Sequence, residues 1–441
     1  MRPAHPVCVH ELFAASRIHM KNHGWRDRLG RRGSAIALTA AIAVTYLLLV
    51  YGAYQTFTSQ VPGGNDFYPR WRGTRALLLE GKDPYSAEVT LQIQNDMYGR
   101  PAREGEDQVA FAYPLYVCLI VLPFALLPYP LAQAFWSSAL ILTTLGALIV
   151  ILRTLDWQPS ALELIGLALW TVLFYPTARS IILGQISIVV LAFIALALWA
   201  LKRGHGVLAG CLLALSTVKP QLMFLIVPFL LLMTVRWRNY KAVSAFLSLV
   251  ALLLAVTSMA LPGWMRSFVS GLTSYHSYTS IYRGGTSPIG YLVGALVPAS
   301  LSGVVTLALS LGLVACVAYA CYAAFTDRLE ASAAFSLAVV ATLLLPGETG
   351  TTNQVLLLLP LMWWLSDPGR RRWVIRLVLA VLLAGPWLLF LCTIQGDLEH
   401  PMMVIPLPLA TLLLLSWHAR SKTARQLVAA TSQIANQTQN R

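Results

Sequence analysis

The chain has 441 residues, of which 57% are hydrophobic and only 11% are charged. Charge this scarce excludes an ordinary soluble globule, and the long apolar runs predict a polytopic membrane protein. The formal net charge of +14 does not indicate nucleic-acid binding, because Lys and Arg cluster in short loops between apolar runs, where they report topology. The six cysteines lack metal-ligand spacing, so we predict neither a disulfide framework nor a zinc site.

The first predicted span follows a basic segment. Several arginines precede an apolar run from Ala35 to Phe57, which is long enough to cross about 30 Å of hydrocarbon. We therefore expect residues 1–34 to form a cytoplasmic tail and residues 58–110 to form an external loop. The basic segment has no small-residue cleavage site, so we expect the span to be retained.

The external loop opens with a polar stretch from Asn65 to Tyr85. Asn65 or Asp66 can cap a helix and Gly81 suits a left-handed end, which predicts an amphipathic helix on the membrane surface. A second surface helix is predicted over Ser86–Tyr98. A cap is the ordinary role for a lone carboxylate such as Asp66, whereas a place beside a membrane cavity would make it a better general base.

The rest of the chain alternates apolar runs with short polar loops. The further runs cover 112–128, 131–152, 161–177, 181–201, 207–235, 241–261, 302–325, 331–346, 353–366, 373–394 and 402–417. Together with the first run they predict an all-α polytopic protein of about twelve transmembrane helices with both ends in the cytoplasm. Residues 419–441 are expected to form a cytoplasmic tail, because they carry several basic residues.

Two topologies remain open around the basic loop Lys202–His205. If this loop is cytoplasmic, residues 207–235 cross twice as two short helices broken at Lys219-Pro220, and residues 112–128 dip in and return. If residues 207–235 cross once, Lys219 is buried in mid-membrane and Lys202 lies outside. We favour the first topology, because short broken segments that line a cavity are tolerated when protein covers them.

Two basic residues interrupt apolar runs and are candidates for a binding site. A Lys such as Lys219 at a helix centre costs about 2.5–3.5 kcal/mol on insertion scales, so it requires an anionic partner unless it snorkels to the interface. Arg179, followed by Gln185, lies in a short break between runs. If that break is external, Arg179 departs from the positive-inside pattern and requires a partner such as a phosphate or Asp66.

Other candidates have a structural explanation of equal or greater weight. Tyr113 precedes a proline at the start of a run, and an interfacial aromatic before a helix explains that pattern, although it could also line a groove. The external loop 262–287 holds His276 and Arg283 among aromatic residues, which suits either a sugar site or an aromatic belt. Glu348 is a further external candidate.

Together these motifs resemble the GT-C glycosyltransferases, specifically glycosyltransferase family 87. The resemblance covers about residues 35–240. It rests on Asp66 with its helix and the turn Gly81–Tyr85, on Tyr113-Pro114, on Arg179 with Gly184-Gln185, and on Gly210 before Lys219-Pro220. One departure is Leu115, where relatives commonly carry a second proline.

The resemblance implies a GT-C fold with a catalytic module over 35–240 and a C-terminal transmembrane module over 241–418. It implies a multi-pass cell-membrane enzyme that moves a sugar, expected to be mannose, from a polyprenyl-phosphate donor to a lipid or glycan acceptor on the extracytoplasmic face. Membrane lipids are the other expected partners. The rival classes are a transporter of polyprenyl-linked lipids or sugars, which needs no base, and an O-antigen-type ligase.

The resemblance also implies roles for the candidate residues. Asp66 would be the catalytic base of an inverting attack. Phosphate is a good leaving group, so no acid and no metal is expected, and we expect no cofactor, no nucleic acid and a monomer. The donor phosphate is assigned to Lys219 and Arg179. Substrate contacts are assigned to Tyr85, Tyr113, Gln185, His276, Arg283 and Glu348.

Overall fold

The protein is helical wherever its structure is described. The computed structural model describes residues 25–61, 63–103, 106–272, 287–347, 349–367, 369, 371–394 and 399–420. Those ranges contain no strand. Six of their helices are long and apolar enough to cross a membrane, or up to seven if the bent pair Ala161–Leu173 and Tyr175–Leu183 is one span. This confirms an all-helical, polytopic membrane protein, whereas the count of twelve spans and the GT-C fold stay predictions.

The helices have bounds close to the predicted apolar runs. Numbered in chain order, they are α1 (Trp25–Ala53), α2 (Tyr68–Glu80), α3 (Ala87–Tyr98), α4 (Val117–Ala125), α5 (Tyr129–Thr154), α6 (Ala161–Leu173), α7 (Tyr175–Leu183), α8 (Ser187–Lys202), α9 (Gly206–Ser216), α10 (Ile226–Arg236), α11 (Tyr240–Ala260), α12 (264–272), α13 (Pro288–Leu296), α14 (Ala299–Phe325), α15 (Ala331–Leu344), α16 (Leu358–Leu365), α17 (Arg372–Thr393) and α18 (406–420). Short 3-10 helices cover Pro220–Leu222, Thr351–Leu357 and Pro401–Val404.

Contacts between loops define one end of the helix bundle. Lys202 Nζ donates to Thr154 O and to Asp156 Oδ2, both at 2.6 Å. Arg236 Nε donates to Phe325 O at 2.7 Å. These bonds join loops that follow four different helices. We call this the basic end, and it comprises residues 155–160, 202–206, 236–240 and 325–330.

The opposite end of the bundle is fixed by the start of α8. Helix α8 ends at Lys202 in the basic end, so its first residue, Ser187, lies at the opposite end. The Ser187 hydroxyl accepts a hydrogen bond from Lys219 and donates one to Asn353. Asp66 N–H donates to Leu183 O at 3.1 Å, close to the same point in the chain. We call this the site end, and it comprises residues 63–67, 183–187, 217–223 and 349–353.

Helices α9 and α10 form a hairpin that reverses at the break predicted around Lys219. A Cβ on Gly206, where α9 begins, would lie 2.2 Å from Asn239 Oδ1, and α10 ends at Arg236, so both outer ends of the hairpin lie at the basic end. Each helix has 11 residues, or about 16 Å, roughly half the hydrocarbon thickness. The chain therefore passes this region twice, as in the first of the two topologies.

Helix α4 is short and stays near the site end. Just before it, Tyr116 Oη donates to Thr217 O at 3.0 Å, and just after it, Leu127 O accepts from Trp71 Nε1 at 3.2 Å. The helix has nine residues, with Pro123 inside it. Both ends of residues 112–128 thus lie toward the site end, which agrees with the first topology.

The two predicted helices of the first loop are present. Gly81 ends α2 with a φ of 64°, and Gly99 ends α3 with a φ of 68°, so both left-handed ends are confirmed. The prediction of the α2 cap is wrong, because Phe67 occupies the N-cap position and not Asn65 or Asp66. The backbone N–H of Asp66 instead reaches α7, which places the carboxylate outside the helix proper.

Helix α2 is packed between its neighbours and does not present a wholly free face. A Cβ on Gly73 would lie 2.4 Å from the ring of Phe111, so only glycine permits this close approach. On another face, Ala76 packs with Val89 and Ile93 in a small core of its own. The loop is thus a folded unit whose position is set by protein contacts.

Candidate functional site

The start of α2 is fastened to the hinge between α7 and α8. Asp66 N–H donates to Leu183 O at 3.1 Å. Gly184, which follows Leu183, has a φ of +72°, and a Cβ on it would lie 2.6 Å from Cβ of Phe67. Trp136 Nε1 donates to Gly184 O at 2.7 Å and holds the hinge from the side of α5. Asp66, which is partly buried, therefore lies directly beside the segment that carries Gln185.

A buried arginine ties this junction to the predicted residue Tyr113. Arg70 Nη1 donates to Tyr113 Oη and Nη2 donates to Gly184 O, both at 2.6 Å. Tyr85 Oη donates to Tyr113 O at 2.6 Å. Burial raises the pKa of the Tyr113 phenol; the charge of Arg70 acts to lower this pKa, and the charge of Asp66 acts to raise it. The Tyr113 phenol is therefore neutral at physiological pH.

Lys219 is buried, with only 3% of its surface exposed. Its Nζ donates to Gln185 Oε1 at 2.8 Å and to Ser187 Oγ at 2.9 Å. Ser187 Oγ donates in turn to Asn353 Oδ1 at 3.0 Å. Pro220, which follows Lys219, has no N–H and ends the helical ladder here. The lysine therefore points into the protein and does not snorkel to water.

The carboxylate that pairs with Arg179 is Glu399. Arg179 Nε donates to Glu399 Oε1 at 2.8 Å, Tyr175 Oη donates to the same oxygen at 2.6 Å, and Thr351 Oγ1 donates to Oε2 at 2.7 Å. The expectation that Asp66 could be the acidic partner of Arg179 is wrong, because Glu399 holds that position. A contact between Arg179 and a donor phosphate stays a prediction.

The buried 3-10 helix Thr351–Leu357 connects the two cationic positions. Thr351 binds the Glu399 carboxylate described above, Thr352 O accepts from Ser180 Oγ at 3.0 Å, and Asn353 contacts the Ser187 hydroxyl. These polar side chains are buried although they lie between apolar helices. Arg179 and Lys219 therefore border one continuous polar strip.

The structure brings most of the predicted site residues together. Asp66, Tyr85, Tyr113, Gln185 and Lys219 belong to one connected set of contacts at the site end. Arg179 borders the same polar strip, because its partner Glu399 is bonded to Thr351 of the 3-10 helix Thr351–Leu357. The predicted positions 276, 283 and 348 lie outside the described residues, so their roles stay predictions.

Three members of the site were not predicted from the sequence. Arg70 lies one turn after Asp66, in the polar stretch, and that proximity was the available signal. Glu399 is an acid in a loop predicted to be external, which is a weak signal. Asn353 lies in the short polar stretch Thr351–Gln354 at the start of a predicted apolar run, and that stretch was the available signal.

The described residues show no group that could hold a metal. Within those ranges, no three His, Cys, Asp or Glu side chains lie close enough to ligate one ion. The five cysteines in the same ranges are free thiols. The carboxylates of Asp66 and Glu399 belong to different parts of the site. The expectation that no metal is used stays a prediction.

These observations define a polytopic helical membrane protein with a buried set of acidic, cationic and hydroxyl groups at one end. The sequence model of glycosyltransferase family 87 matches residues 111–346, which is more than half of the chain. The chain belongs to glycosyltransferase family 87 and is a glycosyltransferase by family. No curated protein and no solved structure matches it at a significant level.

The matched region begins and ends later than the range expected from the sequence motifs. It includes Tyr113, Arg179, Gln185 and Lys219, and it continues about a hundred residues beyond residue 240. It begins after Asp66, so the family match does not itself assign a role to that carboxylate. What distinguishes Asp66 is therefore its position against the hinge.

Proposed function

We propose that this enzyme transfers a sugar, expected to be mannose, from a polyprenyl-phosphate donor to a lipid or glycan acceptor. Asp66 is the general base, and Lys219 neutralises the donor phosphate. The observation that supports this most is the junction at the site end: the segment carrying Asp66 is bonded to the hinge whose Gln185 contacts Lys219. A base and a cation are thereby held in one site.

The chemistry follows from the groups present. The Asp66 carboxylate takes the proton from the acceptor hydroxyl as its oxygen attacks the anomeric carbon from the face opposite the phosphate. The bond from that carbon to the phosphate oxygen breaks, and the electron pair leaves with polyprenyl phosphate. Lys219 stabilises the charge that develops there, and Arg179 can do so through its Nη groups. Configuration at the anomeric carbon is inverted.

The depth of Lys219 favours a lipid-linked donor. It lies beyond the end of α9, about 16 Å of helix from the basic end, and therefore at a level inside the hydrocarbon thickness. A phosphate attached to a polyprenyl chain reaches this depth from within the bilayer. A water-soluble nucleotide sugar would have to be drawn from solution to the same level, with two phosphates to desolvate.

The distribution of charge supports an extracytoplasmic site. Loops at the basic end carry Lys202, Arg203, Arg238 and Arg328. By the positive-inside rule these loops belong in the cytoplasm. The site end, at the opposite end of α8, then faces the outside of the cell membrane. That placement matches a donor whose sugar is presented on the outer leaflet.

The experiment is a transfer assay on membranes supplied with a panel of radiolabelled polyprenyl-phosphate sugars. Wild type, Asp66→Asn and Asp96→Asn are compared, because Asp96 lies in the same loop but is exposed and bonds only to Tyr68 among described residues. Asp66→Asn is expected to lower turnover by about 10²–10⁴, the usual range for loss of a general base, while donor binding is retained. Asp96→Asn is expected to keep wild-type turnover.

Two outcomes contradict the proposal. Turnover above a tenth of wild type in Asp66→Asn excludes this residue as the base. Movement of the labelled lipid across sealed vesicles without formation of a new glycosidic bond, equal in wild type and Asp66→Asn, indicates the rival transporter.

A further inference from the structure

Arg70 is an unusual cation for its surroundings. Its side chain is completely buried, and its hydrogen-bond partners among the described residues are neutral: the Tyr113 hydroxyl and the Gly184 carbonyl. A charge that is removed from water costs several kcal/mol unless it is compensated. Arg72, two residues later, has ordinary surroundings, because it pairs with the exposed Glu80. These two hydrogen bonds alone therefore give little reason for a cation at position 70.

The Arg70 guanidinium and the Asp66 backbone N–H both donate hydrogen bonds to carbonyls at the end of helix α7. Helix α7 ends at Leu183, and its last carbonyls have no helical partner. Asp66 N–H donates to Leu183 O, and Arg70 Nη2 donates to Gly184 O, the next carbonyl along. A cation is favoured at this negative end of the helix dipole. Two residues one turn apart thus hold two successive carbonyls.

The same guanidinium reaches a third segment. Nη1 bonds to Tyr113 Oη, and Cζ lies 4.7 Å from the centre of that ring. One side chain therefore links α2, the segment before α4 and the hinge between α7 and α8. Tyr113, which is bonded to Arg70, also lies within electrostatic reach of Asp66.

We propose that Arg70 is a positioning residue for the transfer reaction: it holds Asp66 at a fixed reach from Gln185 and Lys219. This inference rests on the proposed function. Because a cation near a carboxylate opposes its protonation, loss of Arg70 is expected to move the acid limb of the pH profile to higher pH.

The test compares Arg70→Met, Arg70→Lys and the control Arg72→Met on the same helix. The pH dependence of kcat and KM is measured with the preferred polyprenyl-phosphate sugar, and binding of polyprenyl monophosphate is measured separately. Arg70→Met is expected to lower kcat by about 10²-fold, as for a misplaced catalytic group, and to shift the acid limb upward. Its affinity for polyprenyl monophosphate is expected to stay near that of wild type.

Arg70→Lys separates charge from geometry. It keeps a cation but cannot bridge Tyr113 and Gly184 in the same way, so the acid limb is expected to stay near wild type while kcat falls by about tenfold. Arg72→Met is expected to change neither quantity. A merely structural role for Arg70 would lower the melting temperature without moving the acid limb.

The inference is overturned if Arg70→Met has the acid limb and kcat of Arg72→Met. If Arg70→Met does not fold, Arg70→Lys decides, and a wild-type kcat in that variant overturns the inference. Wild-type protein that transfers no polyprenyl-phosphate-linked sugar overturns the proposed function and this inference with it. The wild-type measurement therefore distinguishes the two failures.

Discussion

Replacing Lys219 with Met tests the phosphate site most directly. Among the described residues, the lysine donates hydrogen bonds to Gln185 Oε1 at 2.8 Å and to Ser187 Oγ at 2.9 Å. A hydrogen bond to a charged group contributes about 1.5–3 kcal/mol, so loss of one contact to phosphate should weaken donor binding by about 10- to 150-fold. The contact exists before and during cleavage, so kcat/KM should fall at least as much.

Among the described contacts of Lys219, two contributions to folding oppose each other. Removing the buried cation relieves about 2.5–3.5 kcal/mol of insertion cost. Leaving Gln185 Oε1 without its donor costs about 1–3 kcal/mol, while Ser187 keeps its bond to Asn353. The melting temperature of Lys219→Met is measured alongside its activity, so that a loss of function is separated from a loss of folding.

The assay measures binding of polyprenyl monophosphate and kcat/KM in detergent or nanodiscs. Lys202→Met is the matched control, because it removes a lysine that bonds to Thr154 O and Asp156 at the basic end. Lys219→Arg is expected to recover part of the affinity, since the charge is kept while its geometry changes. Unchanged affinity and unchanged turnover in Lys219→Met would refute the reasoning, and the phosphate site would then have to be sought at Arg179.

Two further predictions concern the hinge and the topology. Gly184→Ala adds about 1–2 kcal/mol of left-handed strain and a Cβ 2.6 Å from Phe67, whereas Gly204→Ala adds only the strain, because nothing lies within 4 Å there. Gly184→Ala should therefore lower activity and melting temperature more than Gly204→Ala, and equal effects would show that the hinge tolerates displacement. In sealed vesicles, a cysteine at position 65 should be labelled from outside and one at position 202 only after permeabilisation. External labelling of position 202 would contradict the proposed orientation.

The sequence predicted the bounds of the longest helices well, because an apolar run has about the length of the helix it forms. Helix α5 covers Tyr129–Thr154 against a predicted run of 131–152, and α14 covers Ala299–Phe325 against 302–325. The turn at Lys219 was also predicted, since a Lys-Pro pair interrupts its run. The reversal of the chain there belonged to the favoured one of two predicted topologies, and the contact between Gly206 and Asn239 agrees with it.

The site was only partly predictable, because its decisive contacts join distant residues. Arg179 and Glu399 are 220 residues apart, and no spacing rule pairs them. In sequence, Arg70 resembles Arg72 on the same helix, and only burial distinguishes them. Local chemistry therefore identified Asp66 and Lys219, which are unusual where they stand, and missed residues whose importance comes from their partners.

The bond from Arg70 to Gly184 spans 114 residues and affects how the protein is made. Chains are synthesised and folded from the N-terminus, so α2 leaves the ribosome long before α7 and α8 exist. Until those helices have inserted, Asp66 has no hinge to dock against, and until α9 is complete the site has no Lys219. The growing chain thus carries an incomplete site, and a product cut short before α9 is expected to be inactive even though it contains Asp66, the proposed base.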